Sequence, residues 1–394
     1  MDIAASAPEV GGGLQGFSVP ALDALRQALQ DEVDAGRLPG AVLALWRDGQ
    51  PAWRCTVGWL DAARRVPMRA DAIFRIFSMT KPLTSLAALR LVQQGALALD
   101  DPVCRHLPAF GHRTVTVRHL LTHTAGLAYG PRLPPGALRD AYAREGLGVN
   151  PRALTAAALV QALSRVPLTA APGTQWDYGN ATDLLGVLVE ALSGQRLGAH
   201  LRQHLFEPLG MVDSGFVVPP GDAPRIAQPF THDPADGSPL HVPDQTFDAT
   251  SVPTLDSGGA GALSTAADCG RLALALLSGR LPDGRPLLQP ELLRELTRDQ
   301  LAPLGLPPGR GPGEATLRSP GYGFGCGLAV RLKGHAANVP GQPGQFYWPG
   351  TAGTLFWADP AERLAAVFLS QAPGAARQQH RRLVMERVYA ALQG

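Results

Sequence analysis

Of the 35 basic residues in this chain, only Lys81 and Lys333 are lysines. Arginine keeps its proton across the working pH range, whereas lysine can be tuned to release it. A chain so sparing of lysine directs attention to both. Lys81 stands three residues after Ser78 in FRIFSMTKPLTSLAALRLVQQG. The pattern predicts an extended segment over 73–77 that delivers Ser78 to the start of a helix. Positions i and i+3 share a helix face, so the amine can lie beside the hydroxyl. A serine hydroxyl needs a base to become a nucleophile, and a partly desolvated lysine can serve. Free N–H groups at a helix start also favour developing negative charge. The same residues describe an ordinary serine cap with a surface lysine, so they need support from elsewhere in the chain.

Two further segments supply that support. In APGTQWDYGNATDLLGVLVEALSG, Tyr178 and Asn180 fall in a turn just before a helix. A phenol held near Lys81 would have its pKa lowered by the cation and could relay the serine proton. Asn180 could donate toward a substrate carbonyl and accept from Lys81, or it could simply cap the helix. In QFYWPGTAGTLFWADP, Trp348 to Gly350 precede an expected strand over 351–360 whose small residues let a substrate approach the backbone. The backbone N–H groups of Thr351 and Ser78 could then form an oxyanion hole. A glycine-containing turn with a buried tryptophan is the plainer reading of that segment.

Taken together, FSMTK, YGN and WPG resemble the serine, tyrosine and strand motifs of the penicillin-recognising enzymes, in order and in approximate separation. The chain is similar, over roughly 22–392, to the branch with a tyrosine in the middle motif. That branch holds class C β-lactamases, D-alanyl-D-alanine carboxypeptidases and the family VIII carboxylesterases. RHLLTHTAGL, FEPLGM and SGGAGALSTAADCGRLALALL carry the resemblance further. It implies that Ser78 is acylated, that Lys81 and Tyr178 move the proton, and that Asn180 positions. One departure guides the substrate class. Trp348 stands where β-lactamases and peptidases carry the cation of K-T-G or H-T-G, and its apolar ring resembles the carboxylesterase branch. The resemblance therefore implies hydrolysis of neutral short-chain esters. Two rivals stay open: a β-lactamase or D-amino-acid peptidase anchored by Arg118 or another arginine, and a non-catalytic ligand-binding member of the fold.

The elements that must position these residues divide the chain. Apolar periodicity predicts a helix from Val19, strands over 40–49 and 53–60, and at the far end strands over 321–334, 351–360 and 363–371 followed by a helix over 375–392. The two ends, 17–75 and 315–394, are expected to form one α/β lobe, with an antiparallel sheet flanked by helices. Helical periodicity over 81–95, 116–121, 155–164, 180–194 and 265–279 makes the inserted part, 76–314, a mostly helical lobe. The fold class is thus a mixed α+β, β-lactamase-like fold, with the site at the junction. A flexible lead-in is expected over 11–16, and Pro/Gly-rich stretches over 219–250 and 301–321 read as rims of the cleft.

Composition narrows the function classes. With 45% hydrophobic and 17% charged residues the chain can fill a large core, and 35 Lys+Arg against 33 Asp+Glu leave no basic field for nucleic acid or an anionic membrane. No apolar run is long enough for a membrane span, and the start lacks a signal-peptide pattern. The expectation is a cytoplasmic protein, or a periplasmic one if the chain was trimmed, acting on a small-molecule ester. Cys55, Cys104, Cys269 and Cys326 read as core thiols. His119 with His123, and His200 with His204, lie four apart outside any H-E-x-x-H pattern, which favours packing over zinc. GYGFGCG is not a dinucleotide fingerprint, so no cofactor is expected, and the oligomeric state is left open.

Overall fold

Both ends of the chain feed one antiparallel sheet. The computed structural model describes residues 16–230, 247–306, 320–372 and 374–393. Strand β1 (Gly40–Arg47) forms a hairpin with β2 (Gln50–Gly58). The other five strands come from the far end: β5 (Tyr322–Phe324), β6 (Ala329–Arg331), β7 (Phe346–Pro349), β8 (Leu355–Asp359) and β9 (Leu364–Ser370). Their order is β2-β1-β9-β8-β7-β6-β5, with every pairing antiparallel. Two short strands, β3 (Phe74–Arg75) and β4 (Leu263–Ser264), pair separately. The predicted fold class is the one observed.

Helical periodicity explains how the sheet is covered. In α1 (Val19–Asp34), Leu22, Leu25, Leu29 and Val33 recur at spacings of three and four and are the buried face. That helix packs against α5 (Ala376–Ala391) and β2. The inserted segment supplies α2 (Thr80–Gln93), α3 (Ala181–Ser193) and α4 (Ala266–Ser278). α2 and α3 pack on each other and are buried on most sides, α2 burying Thr80, Lys81, Thr84 and Ser85 along with its apolar residues.

The structure redraws several expected boundaries. α4 lies within 76–314 yet packs on β1, β8 and β9, so the sheet lobe takes a helix from the inserted part. The single strand expected over 321–334 is two strands, because the chain reverses at Gly325, whose N–H donates to Leu328. The strand expected from Thr351 starts at Leu355. Trp348 and Pro349 belong to the preceding strand instead, and residues 350–353 are the turn between them. The lead-in over 11–15, and residues 231–246 and 307–319 of the two Pro/Gly-rich stretches, lie outside the described residues.

Register places Leu43 opposite Phe368 and Phe368 opposite Leu355, three buried side chains in a row across the sheet centre. Phe368→Ala should lower stability by about 3–5 kcal/mol through lost burial and the cavity left behind. A chemical-denaturation midpoint within error of the parent would contradict this packing.

Candidate active site

The chain enters the site from β3. Ile76 donates its N–H to the carbonyl of Ala262 (3.1 Å), and Phe77 then takes a φ of +45°, a costly conformation for a bulky side chain. Residues Phe77–Met79 form a 3-10 turn that runs directly into α2. Ser78 therefore sits in this turn and not as the helix cap, while Lys81 is the second residue of α2. Thr80 locks the turn: its Oγ1 donates to the Phe77 carbonyl (2.6 Å) and accepts from the Ala262 N–H (3.0 Å). Ser78 is buried, and its Oγ makes no hydrogen bond among the described residues.

Lys81 has no contact with solvent. Removing an ammonium from water costs on the order of several kcal/mol unless it is partnered. Its Nζ donates to the Tyr129 hydroxyl (2.9 Å) and to the Gly259 carbonyl (2.8 Å). The Tyr178 ring faces the same nitrogen, with its centroid 4.5 Å away. A carboxylate completes the arrangement. Asp183, fully buried in the first turn of α3, accepts from Ser257 Oγ (2.5 Å) and from the Gly259 N–H (3.0 Å). Gly259 thus bridges the anion and the cation, and it has to be glycine: a Cβ there would fall 2.5 Å from Asp183 Oδ2. Burial raises the Asp183 pKa above its ordinary value, against the pull of Lys81 and of its hydrogen bonds.

The phenol bonded to the amine is thus Tyr129, a residue outside the serine, tyrosine and strand motifs. Burial, with Tyr178 and Asp183 close by, pushes its pKa well above 10. Tyr178 is buried as well, stacked on Trp176 and edge-on to Tyr129 and Trp348, and its hydroxyl has no hydrogen-bond partner among the described residues. The expected bond between Asn180 and Lys81 is not made. Asn180 occupies the cap position of α3 without a capping bond; its Nδ2 donates to the Gly148 carbonyl (3.0 Å) and to Asp183 Oδ2 (3.4 Å). Its Oδ1 has no partner among the described residues.

The third segment meets the first through Gly350. A Cβ there would fall 2.3 Å from the Ile76 carbonyl, so only glycine brings β7 this close to the backbone just before Ser78. Thr351 follows in the turn, and Thr354 donates its Oγ1 to the same Ile76 carbonyl (3.3 Å). Trp348 is fully buried, edge-on to Tyr178 and Phe324. It backs the Tyr178 ring and does not form an open wall. Arg118 cannot serve as a free anchor, since it is paired with Asp100 (2.8 Å) and Glu295 (3.0 Å).

Residues 25–389 match the family described as Beta-lactamase. The chain belongs to that family. Esterase EstB of Burkholderia gladioli is 35% identical over 374 residues, which cover 87% of this chain and 88% of that protein. A solved structure of EstCE1, described as a hydrolase with promiscuous acyltransferase activity, superposes with a TM-score of 0.79 at 27% identity, covering 94% of this chain and 99% of that one. A D-alanyl-D-alanine carboxypeptidase, so described as putative, from Escherichia coli O157:H7 is 25% identical over 91% of this chain and 84% of its own length.

In this family member the histidine pairs go to packing and local hydrogen bonds. His119 Nδ1 accepts from the Thr116 N–H (3.1 Å), closing the start of the short helix Val117–Leu121. His123 packs against Tyr178, Trp176 and Phe324, and burial together with the Lys81 charge holds its pKa well below 6.5. Cys55, Cys269 and Cys326 are buried, whereas Cys104 is half-buried; all four thiols are free. His200 packs against the tilted ring of His204 (centroids 4.5 Å apart), and burial lowers its pKa to about 4 from 6.5, with the His204 and Arg90 charges adding to the effect. Between those values the unfolded chain takes up a proton that the folded His200 refuses, so stability is held above pH 6.5 and lost as the pH falls toward 4. His200→Gln should flatten this acid loss. Thermal unfolding midpoints with the same pH slope in both proteins would refute the assignment.

Proposed function

We propose that this Beta-lactamase-family protein is a serine carboxylesterase that forms an acyl-enzyme on Ser78. One observation carries the reading: a buried lysine amine, three residues after Ser78 at the turn into α2, holds one phenol, Tyr129, by a hydrogen bond and faces a second, Tyr178, whose hydroxyl has no partner among the described residues. The relatives named as esterases agree with it. Ser78 Oγ attacks the ester carbonyl carbon while its proton passes to the Lys81–Tyr178 pair, which receives it in the form carrying one proton fewer than ammonium plus phenol: neutral amine with phenol, or ammonium with phenolate. The oxyanion lies against the N–H groups of Ser78 and Thr351. Collapse breaks the bond to the alcohol oxygen, which leaves with the relayed proton. Water then attacks the acyl carbonyl, giving up a proton to the same pair, and Ser78 Oγ departs reprotonated with release of the acid. Asn180, Gly350 and Thr351 shape the substrate side, and Trp348 supports Tyr178 from behind.

Ser78→Ala should abolish turnover of p-nitrophenyl butyrate and the covalent adduct without unfolding the protein. Lys81→Arg keeps the charge but denies a removable proton, and should lose at least about 100-fold in kcat. Tyr178→Phe should lower kcat on a similar scale with a near-parental melting temperature. A Tyr178→Phe enzyme that is less stable but equally fast would make that residue structural.

Trp348 in place of a strand cation argues for neutral esters. The rival, a β-lactam or D-amino-acid peptide substrate, has one observation in its favour, since Arg132 lies 5.3 Å from the Tyr178 ring centroid and could hold a carboxylate. Comparing kcat/KM for p-nitrophenyl butyrate, nitrocefin and a D-alanyl peptide decides between them. The ester should lead by at least about 100-fold, or roughly 2.7 kcal/mol of transition-state stabilisation. A lead for nitrocefin or the peptide would overturn the substrate class while leaving Ser78 as nucleophile.

A further inference from the structure

The peptide between Gly350 and Thr351 is held from behind by a buried cation. The Gly350 carbonyl accepts two hydrogen bonds, one from the Gly353 N–H (3.1 Å) and one from the guanidinium of Arg381 on α5. In a trans peptide the C=O and N–H point in opposite directions. Fixing the Gly350 oxygen toward α5 therefore turns the Thr351 N–H away from that helix, and this amide makes no hydrogen bond among the described residues. One turn earlier on α5, Arg377 donates to the Thr351 carbonyl (3.2 Å), so an i, i+4 pair of arginines holds two successive peptides of the turn.

Arg381 is an expensive residue for this place. It is 7% exposed, its Nε has no partner, and no carboxylate pairs with it among the described residues. Burial and the neighbouring Arg377 charge lower its pKa to about 9. A neutral donor would hold a carbonyl at less cost. What a cation adds is polarisation: a charge-assisted hydrogen bond to the oxygen draws electron density through the amide and makes its N–H a stronger donor.

We propose that Arg381 is a positioning residue that aims and polarises the Thr351 amide toward the acyl oxygen, acting through the Gly350 carbonyl. The proposal rests on the acyl-enzyme reading given above. It makes the strength of the oxyanion site depend on a helix at the end of the chain whose side chain need never touch substrate.

The test uses the full chain with Arg381→Met, Arg381→Lys and, as a neighbour control, Arg377→Met. Turnover of p-nitrophenyl butyrate gives kcat and KM. Infrared difference spectra with an isotope-labelled acyl carbonyl report the hydrogen bonding of the acyl group on Ser78. Arg381→Met should lower kcat by about 10- to 100-fold, toward the effect of deleting one oxyanion donor, with KM changed by less than about threefold. The acyl carbonyl stretch should move to higher frequency, and Arg381→Lys should fall between Met and the parent on both readouts. If Arg381→Met does not fold, the Lys variant alone carries the test, with the same direction of change. A parental kcat overturns the proposal, as does a lower kcat with an unmoved carbonyl stretch, because a merely structural role would give that pattern. Failure of the parent protein to form any Ser78 adduct overturns the acyl-enzyme reading itself, whereas a normal adduct with an unmoved stretch overturns only the role of Arg381.

Discussion

The burial of Lys81 is the constraint around which the site is organised. A cation with no access to water must be met by oxygen atoms and π-faces at fixed distances. The oxygens arrive from segments far apart in sequence, Tyr129 Oη from a loop and the Gly259 carbonyl from the strand side of α4, while the face belongs to Tyr178 at the mouth of α3. Asp183 then ties Gly259 to Asn180 and Ser257, so that α2, α3 and the 257–261 segment share one polar knot. Because each member satisfies another, weakening one leaves a second buried group exposed to its full desolvation cost.

Around that knot lies an aromatic wall of Trp176, Tyr178, Trp348, Phe324 and His123 in mutual edge or stacked contact. These rings supply shape and exclude water around the Lys81 amine. The low pKa of His123 follows from the same dryness that strengthens the contacts of Lys81, since both are effects of a poorly solvated medium on charge. The catalytic reading and the stability of this region consequently draw on the same packing.

Much of this was legible in the sequence because periodicity and local spacing are local properties. The helices around Lys81, after Asn180 and near the C-terminus, and the terminal strands, lie within a few residues of where apolar recurrence places them. Ser78 lies in the 3-10 turn that runs into α2, and Lys81 in the first turn of that helix. What the sequence did not disclose is pairing across the fold. Tyr129 stands in an unremarkable AYG context, and nothing there says that its hydroxyl reaches a lysine 48 positions away. Asp183 reads as an ordinary first-turn acid of a helix, and Arg381 as one of several arginines in an amphipathic helix. Pro349 and the glycines make the Trp348 segment read as a turn leading into a strand. In the structure, β7 runs through the proline, which is tolerated as its final residue, and the turn comes afterwards.

The order of strands also governs how the chain can be assembled. β1 is flanked by β2 and by β9, and β1 is separated from β9 by more than three hundred residues. During synthesis the N-terminal hairpin is made early and keeps one open edge until almost the whole chain has emerged. Closing the sheet is therefore a late, long-range event, of the kind that slows folding and leaves edges open to wrong partners. The inserted helices, rich in local contacts, have the opposite character. A polypeptide stalled before residue 364 would hold the Ser78 turn and α2 with no strand to complete the sheet beside them, making arrest near the C-terminus a source of aggregation.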